Sequence, residues 1–369
     1  MHATSKGHII QLDGIRFIAV ALVLIAHLKE TPVPLGEMGV TIFFVLSGFL
    51  ISRILMQSRD KMMDQPGGFG KYLSKFLIRR TIRIFPVYYL CIGVLYILGV
   101  PSVREHLAWL VLYGTNIYIA VHETWLGTVD HLWSLAVEEQ VYLFFPFLIF
   151  FIPKNKLVVS LGIMGLFSVS LRMYFYLTGK PWFWSYVSMP ACLDSFALGG
   201  LMAWLQLYKK ETFAKLFSSV WPVLAGLLAW IALHYWSKNF ATEKYNMGHV
   251  VMDRLVSSIF CFFLIGKGVM GYTGAMGWFL ENQVSTYLGK ISYGIYLYHN
   301  FVFNHYHAWE YPNHPTVRLL NRIYRSFPEL KDSQLFIFVL VCVLTVAVAS
   351  VSWHFFEKPI NALKDKYAK

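Results

Sequence analysis

The sequence predicts an all-α polytopic membrane protein with about ten transmembrane helices and one further helix, near 105–121, lying re-entrant or interfacial at the outer face. Three observations predict it. Only 14% of the 369 residues are charged, against 57% hydrophobic and 17% aromatic. A soluble chain carries roughly 25% charge. Mean hydropathy is +0.52, more apolar character than one buried core can absorb, so the excess must face lipid. The apolar residues also fall into runs of the length that crosses a hydrocarbon core, about 20 residues each.

The runs are 10–28, 38–56, 84–100, 131–152, 157–177, 189–207, 218–236, 252–270, 290–306 and 334–356. Residues before Ile10 are polar, and no small-residue cleavage site follows the first run, which is therefore expected to stay as a span. The run 105–121 is interrupted by His106, Tyr113, Gly114, Thr115, Asn116 and Tyr118. Charge decides its placement. With ten crossings and the N-terminus inside, 20 Lys and Arg fall on cytoplasmic segments and 10 on outer ones; an extra crossing at 105–121 changes this to 17 against 13. Positive-inside bias favours ten, with both termini cytoplasmic. Non-crossing helix at membrane depth is tolerated where protein or water surrounds it. No stretch is long enough for a separate soluble domain, so residues 1–369 are expected to form a single transmembrane domain.

The net charge of +12 would suggest nucleic acid in a soluble protein. Here it fits basic cytoplasmic loops and an anionic ligand, with membrane lipids as neighbours and no nucleic acid. Cys91, Cys192, Cys261 and Cys342 sit in separate apolar runs, as buried thiols do. No metal site is expected.

Charged groups inside spans cost about 2.5–3.5 kcal/mol on insertion scales and are functional suspects. In the first span Arg16 and His27 are eleven residues apart, which returns them to within about 20° on one helix face and separates them by roughly 16 Å. The second span contains Ser47 and Gly48 beside Phe49, a pattern of close helix packing that can also line a narrow path. Lys71, Lys75, Arg79, Arg80 and Arg83 precede the third span; they suit membrane anchoring or phosphate recognition by guanidinium forks. The fourth span places His131, Glu138 and Tyr142 on one face and adds Glu139. A carboxylate there needs a partner or a proton. Arg172, Asp194 and the Ser292, Tyr293, Tyr298 and His299 group of the ninth span are weaker suspects. Trp182, Trp184 and Trp309 in outer loops suit sugar stacking and equally an interfacial aromatic belt.

With these residues in place, the chain resembles the acyltransferase-3 family of membrane acyltransferases. The stretches that carry the resemblance are LDGIRFIAVALVLIAH, FFVLSGFLISRIL, FLIRRTIRIFPVYYL, HLWSLAVEEQVYLFFP, LGKISYGIYLYH and FFEKP, in family order across nearly the whole chain. The family's Arg and His fall on Arg16 and His27, its membrane Glu on Glu138 and its cytoplasmic basic motif on Arg79, Arg80 and Arg83. Val141 replaces the family's Phe after EEQ, and no appended extracytoplasmic hydrolase-like domain is seen, which makes peptidoglycan a less expected acceptor.

The resemblance implies transfer of an acetyl or other short acyl group, with cytoplasmic acetyl-CoA (or another acyl-CoA) as donor. The acceptor would be a sugar hydroxyl of a surface or lipid-linked glycan, such as O-antigen, lipopolysaccharide, capsule or exopolysaccharide, at the inner (plasma) membrane. In that frame Arg79, Arg80 and Arg83 meet the CoA phosphates. Ser47, Gly48 and Arg16 line the path of the pantetheine arm. His27 and Glu138 form the catalytic pair, either one taking the proton, and an acyl-histidine intermediate is also open. His131, Trp133, Tyr142 and His299 are expected to bind substrate. A small-molecule acceptor, a glycolipid transporter and a non-enzymatic scaffold are the competing readings.

Overall fold

The computed structural model describes residues 8–28, 33–241, 245–302, 315–331 and 333–363, and every regular element among them is helical. In chain order these are α1 (Ile10–Leu28), α2 (Leu35–Met62), α3 (Gly68–Ile97), α4 (Pro101–Glu105), α5 (Leu107–Val111), α6 (Thr115–His122), α7 (Trp133–Phe151), α8 (Leu157–Leu177), α9 (Trp182–Val187), α10 (Leu193–Tyr208), α11 (Lys210–Phe217), α12 (Trp221–Phe240), α13 (Asp253–Met270), α14 (Gly274–Glu281), α15 (Gln283–Lys290), α16 (Ser292–Val302), α17 (Pro315–Ser326), α18 (Gln334–Ser352) and α19 (Lys358–Ala362).

Seven helical stretches among the described residues are long and apolar enough to cross a membrane: Ile10–His27, Leu35–Met62, Gly68–Ile97, Gly127–Phe151, Leu157–Leu177, Gly248–Met270 and Gln334–Ala362. An eighth results if α11 and α12, bent by 59°, count together. The expected count of about ten is therefore not reached, although each expected run contains helix. At 16 residues α10 is too short, and α16 is described over only 11, residues 303–314 lying outside the described ones. The 105–121 region breaks into α4, α5 and α6, none long enough to cross. Tyr113, at φ 50°, ends α5, and the Gly114 amide donates back to the Trp109 carbonyl at 2.7 Å.

The chain divides into two compact units. The first comprises Met1–Phe69 and Gln140–Ser292, and the second Gly70–Glu139 and Tyr293–Lys369. The first unit is built around α1, α2, α10 and α13, with Ile15, Ala19, Ile42, Val45, Phe49 and Ile265 in its core. Helices α2 and α10 cross at close range. A Cβ on Gly48 would stand 2.5 Å from the Phe196 carbonyl oxygen, and one on Gly199 would overlap the backbone at Val45 and Phe49. Small residues permit this approach, which drives association where no hydrophobic force acts between lipid-solvated helices. Gly199→Val is expected to cost about 1–3 kcal/mol or more by overpacking, read as loss of the monodisperse peak in detergent size-exclusion chromatography.

Helix α2 runs well past the expected end of its span and stops at the Gln65–Gly68 turn, where Gly67 takes φ 68°. This extension buries Arg59, one of the residues expected in a solvated basic loop. Its guanidinium donates to the carbonyls of Ile149 and Ile152 at 2.9 and 3.1 Å, capping the C-terminal end of α7. Cys91, Cys192 and Cys261 are buried, Cys342 is partly so, and all four are unpaired thiols, as expected.

In the second unit, α3 carries the short helices. Tyr88 and Tyr89 hydroxyls donate to the Leu110 and Val111 carbonyls, each at 2.9 Å, and Tyr88 stacks on Tyr113 at 4.4 Å. Helix α16 is packed closely enough on α18 that a Cβ on Gly294 would lie 3.3 Å from that of Ala349.

Candidate active site

Helix α1 is unbroken from Ile10 to Leu28, so Arg16 and His27 do share a face about 16 Å apart along the axis. Its N-terminal end is clamped by Gln11, whose amide donates to the Tyr272 carbonyl at 2.9 Å and to Glu281 at 2.7 Å while accepting from the Tyr272 amide at 2.7 Å. Helix α15 lies against the same turn, where a Cβ on Gly289 would overlap the Asp13 carbonyl.

Arg16 has a partner on its own helix. Asp13, one turn earlier, accepts from its Nη1 at 2.7 Å and also meets His8 Nε2 at 2.8 Å. The i, i+3 spacing was the available signal for that pair. At the other end, His27 is half-buried and its Nδ1–H donates to the Val23 carbonyl at 2.9 Å. A carbonyl only accepts, so in the neutral ring the lone pair resides on Nε2.

Ser47, half-buried on α2, accepts from the Tyr142 hydroxyl at 3.4 Å, which joins two suspects in the first unit. Its neighbour Gly48 is occupied with the α10 crossing. Arg172 and Asp194 prove to be a buried ion pair at 2.6 Å, exposed 1% and 2%. Arg172 further donates to the carbonyls of Val251 (3.1 Å) and Ala191 (2.5 Å), so this pair joins α8 to α10 and belongs to the scaffold.

The remaining suspects lie in the second unit. Arg79 and Arg83 are exposed on one side of α3, as their spacing predicts, while Arg80 is half-buried and lies 5.7 Å from the Phe76 ring centre. Two carboxylates answer these cations: Glu139 is within electrostatic reach of Arg80, and Glu357 within reach of Arg83. Glu357 also accepts from Ser352 at 2.9 Å, whose hydroxyl lies 2.9 Å from that of Tyr298. Glu357 falls within FFEKP, a stretch that by itself offers it no partner.

His131, Trp133 and His299 are buried, 2–4% exposed. His131 Nε2–H donates to the Leu297 carbonyl at 3.2 Å and His299 Nδ1–H to the Tyr296 carbonyl at 2.6 Å, with the two rings 4.8 Å apart. The Tyr296 hydroxyl bonds the His131 carbonyl at 3.0 Å and sits 2.5 Å from the Ser134 hydroxyl, and Glu138 acts on it electrostatically. This network ties α16 to the start of α7. Nearby in the chain, Pro101, Ser102, Glu105, His106 and Trp125 line a cavity of about 220 Å³. In the first unit, Trp182 stacks on Tyr245 at 5.1 Å, and Lys180 lies 5.4 Å from the ring of Trp184; Trp309 lies outside the described residues.

Residues 9–354 match the acyltransferase-3 family, described as an acyltransferase domain. Two Staphylococcus aureus proteins named O-acetyltransferase OatA, from strains NCTC 8325 and COL, are each 25% identical over 374 residues. The aligned region is 95% of this chain and 57% of theirs, so the chain spans little more than half the length of these relatives. No solved structure matches it. A match over almost the whole chain, on a helical frame that keeps Arg16 and His27 on one face, is decisive: the chain belongs to the acyltransferase-3 family of polytopic membrane acyltransferases.

Proposed function

We propose that the protein transfers an acetyl or other short acyl group from cytoplasmic acyl-CoA to a sugar hydroxyl of a surface or lipid-linked glycan, at the plasma membrane with both termini cytoplasmic. The observation that carries this reading is α1 itself, with a cation at one end of one face and an imidazole poised as a base at the other. The CoA phosphates meet Arg79, Arg80 and Arg83. The pantetheine arm passes Arg16 and Ser47 and brings the thioester to His27.

There Nε2 of His27 takes the proton of the acceptor hydroxyl as its oxygen attacks the thioester carbon. The C–O bond forms, the C–S bond breaks, and the imidazolium returns the proton to the departing CoA thiolate. The Val23 carbonyl holds Nδ1 and so orients the ring from within α1. Glu138 is the second member of the proposed catalytic pair. The O-acetyltransferase names of the relatives support an oxygen acceptor.

Mass spectrometry of surface glycans from a deletion strain tests the reading: a deficit of one acyl group per repeat, restored by the wild-type gene, is expected. Glycan movement without acyl-CoA dependence would replace it with a transporter. The donor site has its own test. Arg83→Ala is expected to weaken acyl-CoA binding about tenfold, the value of one charge-assisted hydrogen bond, and to flatten its salt dependence. Isothermal titration in detergent checks this, and unchanged affinity would move the donor phosphates elsewhere.

A further inference from the structure

The first unit holds a second cluster of chemically capable side chains that acyl transfer does not use. Glu37 in the first turn of α2, His249 in the π-helical turn Gly248–Met252 and Asp253 at the start of α13 each bring one ligand atom to within 4.8 Å of the others. His249 and Asp253 are four residues apart, and π-turns of this kind recur at functional sites.

Three features set the cluster apart from a solvated acidic patch. Asp253 Oδ1 accepts from Trp230 Nε1 at 3.1 Å and from Ser257 Oγ at 3.2 Å, the kind of outer contact that orients a ligating carboxylate. Glu37 and Asp253 present two carboxylate oxygens within 4.8 Å of each other and of the imidazole, a spacing that one divalent cation can bridge. Most telling is Ser185: its residue is 3% exposed, its hydroxyl has no hydrogen-bond partner, and it lines the same small cavity as the three ligand residues. That cavity offers about 20 Å³ to the centre of a water-sized particle. This is room for one ion or water and far too little for a sugar.

We propose that Glu37, His249 and Asp253 bind one divalent transition-metal ion, with the Ser185 hydroxyl completing the set directly or through a water. One imidazole nitrogen with carboxylate oxygens is a donor set that suits Zn²⁺. Ligands about 2.0–2.2 Å from the ion stand roughly 3.3 Å apart in a tetrahedron, so small side-chain rotations close the site. Arg254 and Arg172 also line the cavity, and Arg172 is neutralised by Asp194. His234 Nε2 lies 3.3 Å from Asp253 Oδ1 on the side of α12. The ion would pin the N-terminal ends of α2 and α13 together. No metal is expected from the sequence, because Glu37 and the His249–Asp253 pair are distant in the chain.

The site is tested without any activity assay. The full chain, purified in detergent on an affinity tag free of histidine, is stripped with a chelator and titrated with ZnCl₂ against a competing chelator dye. Bound zinc is counted by mass spectrometry, and the thermal midpoint is recorded with and without metal. One Zn²⁺ per chain and a raised midpoint are expected, with affinity at least about tenfold lower in Glu37→Gln and in His249→Gln. The metal-free midpoint of each variant verifies its fold, so either variant suffices if the other fails to fold. Retention of zinc by E37Q/H249Q equal to wild type, saturation only at millimolar zinc, or equal affinity for Mg²⁺ would each overturn the assignment.

Discussion

His27→Ala is expected to lower acyl transfer by about 10²–10⁴-fold, the usual contribution of a positioned general base, with acyl-CoA affinity unchanged within error. The reason lies in α1. The ring is held from its own helix through Val23, and Arg16, at the other end of the face, keeps Asp13 as its partner. Single-turnover transfer from labelled acetyl-CoA, measured beside equilibrium binding on the same preparation, separates chemistry from binding. His27→Gln sharpens the experiment: it retains a donor for the Val23 carbonyl and cannot accept the hydroxyl proton as imidazole does, so it should be as inactive as alanine. Full transfer by a well-folded His27→Ala protein would remove His27 from the reaction and shift the base to Glu138.

The bond that orients His27 is not itself a mark of function. His106, His122, His234 and His354 each make the same contact to the carbonyl four residues earlier. What singles out His27 is the cation on its face, and that was legible from spacing alone because both residues belong to one unbroken helix. The same holds for the exposed pair Arg79 and Arg83. Partners contributed by other helices were not legible in this way. Glu139 and Glu357 acquire their relation to Arg80 and Arg83 only in three dimensions, whereas the Asp13–Arg16 pair, i, i+3 on one helix, was open to reading from the sequence. Span lengths failed for a related reason. Hydropathy located the apolar part of α2 but not its buried polar continuation through Arg59, which is stabilised by the carbonyls of another helix.

Asp194→Ala carries the largest expected loss of stability. Arg172 is 1% exposed, and its charge is balanced by Asp194 at 2.6 Å. Breaking a buried pair by removing one partner costs about 3–5 kcal/mol, because the remaining charge stays uncompensated. Asp194 also accepts from Ser168 at 3.3 Å and from the Ser195 amide at 3.0 Å, so those donors lose their acceptor as well. Detergent-solubilised Asp194→Ala should therefore show a much lower thermal midpoint and yield. Removing both charges together, Arg172→Met with Asp194→Leu, should recover part of that loss, since the uncompensated charge disappears, while the carbonyls of Ala191 and Val251 still lose their donor. A single variant as stable as wild type would mean that water reaches Arg172 and that the pair does not hold α8 to α10. If instead the double variant recovers stability and retains transfer, these two intramembrane charges serve the scaffold alone.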